Sequence, residues 1–175
     1  MTIQNKEKGN RKYYEEIMYI SSNYYIFKKR PQTKTHSLLK VFGLYSLLFL
    51  ILSTIFLFIP NMIALSGIYF SFFLVYIYSL FETNYKLKEY MKHGDSSIII
   101  DETGIESKEE NITSSKLYWE AIEYIIINKY SICVLPKNFA HFAIFIEISS
   151  KEEVLKALEK YNKTNLLIDN SNKYK

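Results

Sequence analysis

From Val41 to Phe81 the chain carries no Asp, Glu, Lys, Arg or His, and its apolar run is interrupted once, at Pro60-Asn61. A bilayer hydrocarbon core is about 30 Å thick, and a helix crossing it needs roughly 20 apolar residues. The run therefore predicts two spans, residues 38–59 and 62–81, joined by a tight turn. Pro removes a backbone donor and disfavours helix in the residue before it, while Asn tolerates turn geometry. Buried helices of a soluble protein normally keep a polar stripe, and no position here offers a charged one. The first span begins too far along the chain to be the apolar segment of a signal peptide, so no cleavage is expected.

Beyond a charged connector at 82–94 the periodicity changes to that of strands. Residues 97–100 and 105–107 flank a turn at 101–104, and 112–118 follow a second turn. A corner at Trp119–Ile122 leads to a hairpin of 123–128 and 131–135. In the last strand Phe142, Ile144, Ile146 and Ile148 alternate onto one face. Ser150 and Glu153 stand at capping-box spacing, and Val154, Leu155, Leu158 and Tyr161 then fall at helical spacing. Short strands closed by an amphipathic helix predict a curved antiparallel sheet plugged at its open end. Residues 163–175 read as a polar tail, and 1–37 as a basic, aromatic-rich juxtamembrane arm. The arm either lies along the membrane interface or packs on the sheet domain. The expected fold is a two-helix transmembrane hairpin plus an α+β domain at 95–162.

Charge adds orientation. Lys28, Lys29, Arg30, Lys34 and Lys40 precede the first span with no acid among them, Lys86, Lys88 and Lys92 follow the second, and the turn is uncharged. Positive loops stay cytoplasmic, which predicts a plasma-membrane protein with both termini inside. Residues 1–40 balance at +6 and residues 95–162 at −5. The pI near 8.9 therefore does not point to nucleic acid, because the domain large enough to hold a duplex would repel phosphate. The basic arm has two readings, topology determination and binding of anionic lipid, where each cation near such a surface contributes about 1 kcal/mol.

Candidate chemistry is sparse. Trp119, the single tryptophan, reads as a core anchor at the strand corner, its N–H bonded to backbone, rather than as a ligand platform. Gly104 reads as a turn glycine with positive φ available, and Pro136 as a turn or edge residue. Lys137 is a candidate contact for a partner or a phosphate. His36, His93 and His141 are isolated, so no metal site is expected. His93-Gly-Asp95-Ser96 lacks the context of a nucleophile elbow. Cys133, in an apolar strand, reads as a buried thiol suited to a reducing compartment. Two sequons, at Asn111 and Asn162, read as chance matches, and no glycine-rich phosphate loop occurs. Gly67 and Ser71 stand one turn apart and would permit close helix contact.

Three stretches carry a resemblance: Ile100-Asp-Glu-Thr-Gly-Ile105, Leu117-Tyr-Trp-Glu-Ala-Ile122 and Leu135-Pro-Lys-Asn-Phe139. With two spans ahead of them and a helix behind, residues 38–161 resemble the YcxB-like membrane proteins of Gram-positive bacteria. The resemblance implies a cytoplasmic domain similar to pleckstrin-homology (PH) folds, with Gly104, Trp119, Ile122, Pro136 and Phe139 as its structural motif. It implies architecture more than function, and the residues themselves offer no catalytic, cofactor or metal candidates. Lipid-reading domains of this fold use a basic first loop, whereas this chain has Asp101 and Glu102 there. The expected function is a non-enzymatic membrane protein presenting an interaction domain, with Lys28, Lys29, Arg30, Lys34 and Lys137 as candidate contacts. Its expected partners are the bilayer, a protein and a second copy, with no small-molecule substrate. A bacteriocin-immunity or envelope-stress role is the alternative, and a lipid-acting enzyme a distant third.

Overall fold

The computed structural model describes residues 1–6, 10–92, 95–109, 114–138 and 143–174. His93, Gly94, Asn111, Phe139, His141 and Phe142 lie outside the described residues. In chain order the elements are β1 (Thr2–Lys6), α1 (Arg11–Ser22), α2 (Tyr24–Lys29), α3 (Leu38–Leu57) and α4 (Ile63–Tyr90). Next come β2 (Asp95–Ile100), β3 (Gly104–Glu109), β4 (Ser115–Tyr118), β5 (Ile122–Ile127) and β6 (Ser131–Pro136). The chain closes with β7 (Ile144–Glu147), α5 (Lys151–Lys160) and β8 (Leu167–Asp169). Two compact units result: residues 36–89, and residues 1–35 together with 90–175.

The first unit is an antiparallel pair of long apolar helices, α3 and α4. Asn61 in the turn takes φ 65°, the left-handed conformation that Asn tolerates better than most residues. α4 is 28 residues long and continues through most of the expected connector to Tyr90. Leu and Lys in 82–90 favour helix, and neither Gly nor Pro stops it before Gly94. The helices meet through ring stacks, Phe49 on Tyr69 and Tyr76, and Phe56 on Tyr69, with centroids 5.3–6.0 Å apart. Ser53 and Ser66 bond reciprocally: each Oγ donates to the other's carbonyl, at 3.1 and 2.8 Å.

The second unit is a separate antiparallel sheet domain, and it departs from a single curved sheet. One four-stranded sheet runs β1-β2-β3-β4 and the other β7-β6-β5-β8. All pairings are antiparallel except β5 with β8. Isoleucines 98, 100 and 105 of the first sheet, 125, 127, 132 and 146 of the second, and Val154, Ala157 and Leu158 of α5 form one core. A second cluster covers the opposite face of the β5–β6 sheet. There Ile20, Tyr24 and Phe27, from α1 and α2, pack on Ile126, Cys133 and Leu135.

Of the two readings of the N-terminal segment, packing on the sheet domain is the one observed, and it extends to a strand of the sheet itself. Thr2 to Lys6 register against Ile99 to Asp95, so β1 completes the first sheet, and α1–α2 seal the second. Its aromatics gain more by covering apolar sheet surface than by standing in water, at about 25 cal/mol per Å² buried. Residues 163–175 are likewise not a free tail, because Leu167 to Asp169 pair with Ile125 to Ile127 and Lys151 clamps Asp169 at 2.8 Å. The capping box does not form, since Ser150 caps the helix without a side-chain bond. Gly104 has no positive φ. Its Cβ would stand 2.0 Å from the Leu117 carbonyl oxygen, so close approach of β4 is what demands glycine.

Candidate functional site

The cations picked out by sequence do not act alike once placed. α2 carries Lys28 and Lys29 in its last turn, where positive charge suits the helix dipole. Phe27 is fully buried, and the buried Tyr24 donates its hydroxyl to the Pro136 carbonyl at 2.6 Å, which holds α2 to the end of β6. Burial raises the Tyr24 phenol above its ordinary range, the Glu123 charge adding to this, so it remains a donor. Lys28 reaches the Lys137 carbonyl and lies 3.4 Å from Glu123 Oε2, within ion-pair reach but outside hydrogen-bond geometry. The structure thus brings together Lys28 and Lys137, which the sequence separates by more than a hundred residues. Lys28 is a strut between α2 and the sheet. Lys29, Arg30, Lys34 and Lys137 are exposed, and among the described residues none of them makes an ion pair.

Glu123 owes its position to a register shift. Ile122 pairs with Pro136 and Tyr124 with Leu135, so Glu123 is the extra residue of a β-bulge. Pro136 closes β6 at this irregularity, not at a sheet edge, and Lys137 N–H then bonds Ala121. An open groove of about 530 Å³ borders the bulge, lined by Trp119, Glu123, Tyr124, Lys137, Lys163 and Leu166 among others. β8 covers only Ile125 to Ile127 of β5, so the groove lies beside the half of β5 that β8 leaves uncovered. Its mixed charges and aromatic wall suit a peptide segment more than a small anion.

Trp119 is an anchor on the groove's floor side. It is 7% exposed and donates Nε1–H to the Asp101 carbonyl at 3.1 Å. Lys163 Nζ stands over its ring, 5.9 Å from the centroid, and both residues line the groove. Ile122 is core. Asp101 does not project as a free charge: its carboxylate accepts from the Thr103 hydroxyl and N–H and from Gly104 N–H, and pairs with Lys116 at 3.1 Å. The Thr103 bonds, chiefly, hold it well below the usual carboxylate range. Cys133 is fully buried, and burial pushes its thiol well up, which makes it a poor nucleophile. Gly67 has open space where a Cβ would stand and makes no close helix contact within the hairpin.

Sequence reasoning missed Glu16. It is 3% exposed, and Oε2 accepts from Tyr130 N–H at 2.9 Å and Ser131 Oγ at 2.7 Å, while Thr35 Oγ1 donates to Oε1 at 2.6 Å. This carboxylate locks α1 to the β5–β6 turn and fixes the segment that follows α2. Its signal lay in the α1 pattern, where Glu16 shares a helix face with Tyr13 and Ile20. Among the described residues no cluster of metal-ligating side chains forms. No family model, curated protein or solved structure matches this chain.

Proposed function

We propose that this chain is an integral membrane protein, not an enzyme, whose hairpin holds a PH-like interaction domain at the cytoplasmic face of the plasma membrane. One observation carries the reading: the hairpin is inside-out. In α3 the buried residues are Ser46 and Ser53, and in α4 they are Ser66 and, beyond the apolar stretch, Leu87, whereas Leu44, Leu57, Ile63, Ile68 and Leu74 are about half exposed or more. Side chains of that kind belong against lipid, and buried hydroxyls that satisfy one another belong between membrane helices. The spans are 20 and 28 residues long, enough for a core of about 30 Å.

The strand pairing supports the topology. β1 precedes the hairpin and β2 follows it, yet they share a sheet. One folded domain occupies one side of a membrane, so the chain enters and leaves on the same face, and the basic flanks favour the cytoplasm. Two four-stranded sheets, antiparallel but for β5 with β8, and a core-packed helix support the PH-like reading, and on it the chain is YcxB-like. The groove beside Glu123 would then take a protein partner. Cysteine labelling of intact cells tests the whole. Asn61→Cys should react from outside and Lys108→Cys only after permeabilisation. Labelling of position 108 but not 61 would sink the topology, and recovery of the full chain in the soluble fraction would sink the membrane reading.

A further inference from the structure

We propose that the outer face of α2 is a docking surface for anionic phospholipid headgroups, an inference that rests on the membrane reading above. α2 is amphipathic in an unusual sense. Tyr24 and Phe27 bury on the sheet, while its opposite face shows Tyr25, 77% exposed, and Ile26, 50% exposed, beside exposed Lys29 and Arg30. A tyrosine and an isoleucine next to two cations match the layered chemistry of a bilayer interface: phosphate outside, acyl chain beneath. No acid occurs between Tyr24 and Lys40, so nothing on the segment itself opposes phosphate. Glu123, on the sheet beneath α2, lies within ion-pair reach of Lys28. Lys137, on the strand end that Tyr24 grips, adds a cation beside the helix.

Tethering makes this surface effective. Seven residues separate Arg30 from Leu38, the first residue of α3, and seven residues extend at most about 25 Å. With α3 in the bilayer, α2 is kept by the linker within about 25 Å of the start of the span. Its tight hold on the sheet domain means that docking α2 would orient the whole domain. The cations then divide by role. Lys28 is committed to Glu123 and the fold, while Lys29, Arg30 and Lys34 face outward.

The test uses the full chain in nanodiscs of phosphatidylcholine alone or mixed equally with phosphatidylglycerol. An environment-sensitive fluorophore is placed at Ile26→Cys, Cys133 being buried and shielded from label. Quenching by spin-labelled lipid should be strong with phosphatidylglycerol, weak without it, and lost in 1 M salt as the Debye length shrinks to about 3 Å. Each charge removed by Lys29→Gln or Arg30→Gln should lower the docked fraction ratio by about fivefold. A second label at Leu65→Cys, on α4, should be quenched in both lipids. If Leu65 is quenched and Ile26 behaves alike in both lipids, or ignores the charge removals, the docking surface is refuted and the membrane reading stands. If Leu65 is not quenched, both fall.

Discussion

Isoleucine occupies opposite extremes in the two units. In the sheet domain Ile98, Ile100 and Ile125 are 0% exposed, whereas in the hairpin Ile51, Ile55 and Ile63 are 48–67% exposed. The polar residues differ as well, with Ser46, Ser53 and Ser66 buried in the helix pair, while the Lys and Glu of the sheet domain lie toward its surface apart from the buried Glu16. In water each large apolar side chain left uncovered forgoes about 1.5–3 kcal/mol, so on the membrane reading proposed above one sequence is written for two solvents. The comparison teaches that stability should respond differently in each unit. Burial dominates in the sheet domain, and small polar contacts and ring stacking dominate in the hairpin.

The strongest way to break that comparison is to cut the sheet domain where its sequence is continuous. A fragment of residues 90–175 lacks β1, α1 and α2, leaving Ile98 with one of its two neighbour strands and Ile126, Cys133 and Leu135 uncovered. It should show no cooperative melt by circular dichroism, and a sharp transition would return the N-terminal segment to an appendage. A graded version is Phe27→Ala in the full chain, which should cost roughly 3–5 kcal/mol in denaturant unfolding of the domain. A loss under about 1 kcal/mol would mean that α2 does not contribute to the core.

Gly104→Ala sharpens the point at the backbone level. Its Cβ would collide with the Leu117 carbonyl, so β3 and β4 must separate, at a cost of about 1–3 kcal/mol. Unchanged stability would show that β4 adjusts freely. In the hairpin the corresponding test is a cycle of Ser53→Ala, Ser66→Ala and both. Each hydroxyl donates to a backbone carbonyl that the other substitution leaves in place, so each single loss should average about 0.6 kcal/mol and the two should add; no loss from either would remove the reciprocal pair as a contributor.

The smallest effect is titration at the Asp101 turn. Bonds from Thr103 depress the folded carboxyl below its unfolded value of about 3.9. Its contribution is therefore complete above that pH and declines as pH falls from about 3.9 toward the lower folded value. Thr103→Val should flatten the acid limb of the stability curve and leave neutral-pH behaviour nearly intact. An unaltered limb would show that the turn is held by other bonds.

The charge reading illustrates what contact order hides from a sequence. Residues 1–40 and 95–162 balance at +6 and −5, a division that suggests a basic arm and an acidic domain. The folded unit takes in both, and with nineteen Lys/Arg against sixteen Asp/Glu it nets +3. The exclusion of nucleic acid drew on an acidic balance that belongs to a segment, not to the folded surface. A signal of the true arrangement was present: Ile125-Ile126-Ile127 and Ile132-Cys133-Val134-Leu135 do not alternate, as strands buried on both faces do not. That pattern calls for a second covering layer, which α1 and α2 supply.

The sequence by itself determined the two long apolar helices, their turn at Pro60-Asn61, most strands after residue 95, the α5 stripe, and Trp119 as a corner anchor. These follow from local periodicity and from residue types whose conformational preferences need no distant partner. Only the tertiary structure decided that β1 joins β2 across the hairpin, that β8 lies parallel to β5, and that Lys28 meets Glu123 while Lys29 and Arg30 face outward. It also decided that Gly104 is required by a neighbouring carbonyl and not by its own torsion. Each of these depends on a contact between residues far apart in the chain, and such contacts leave no period, cap or turn signal in the segment that makes them.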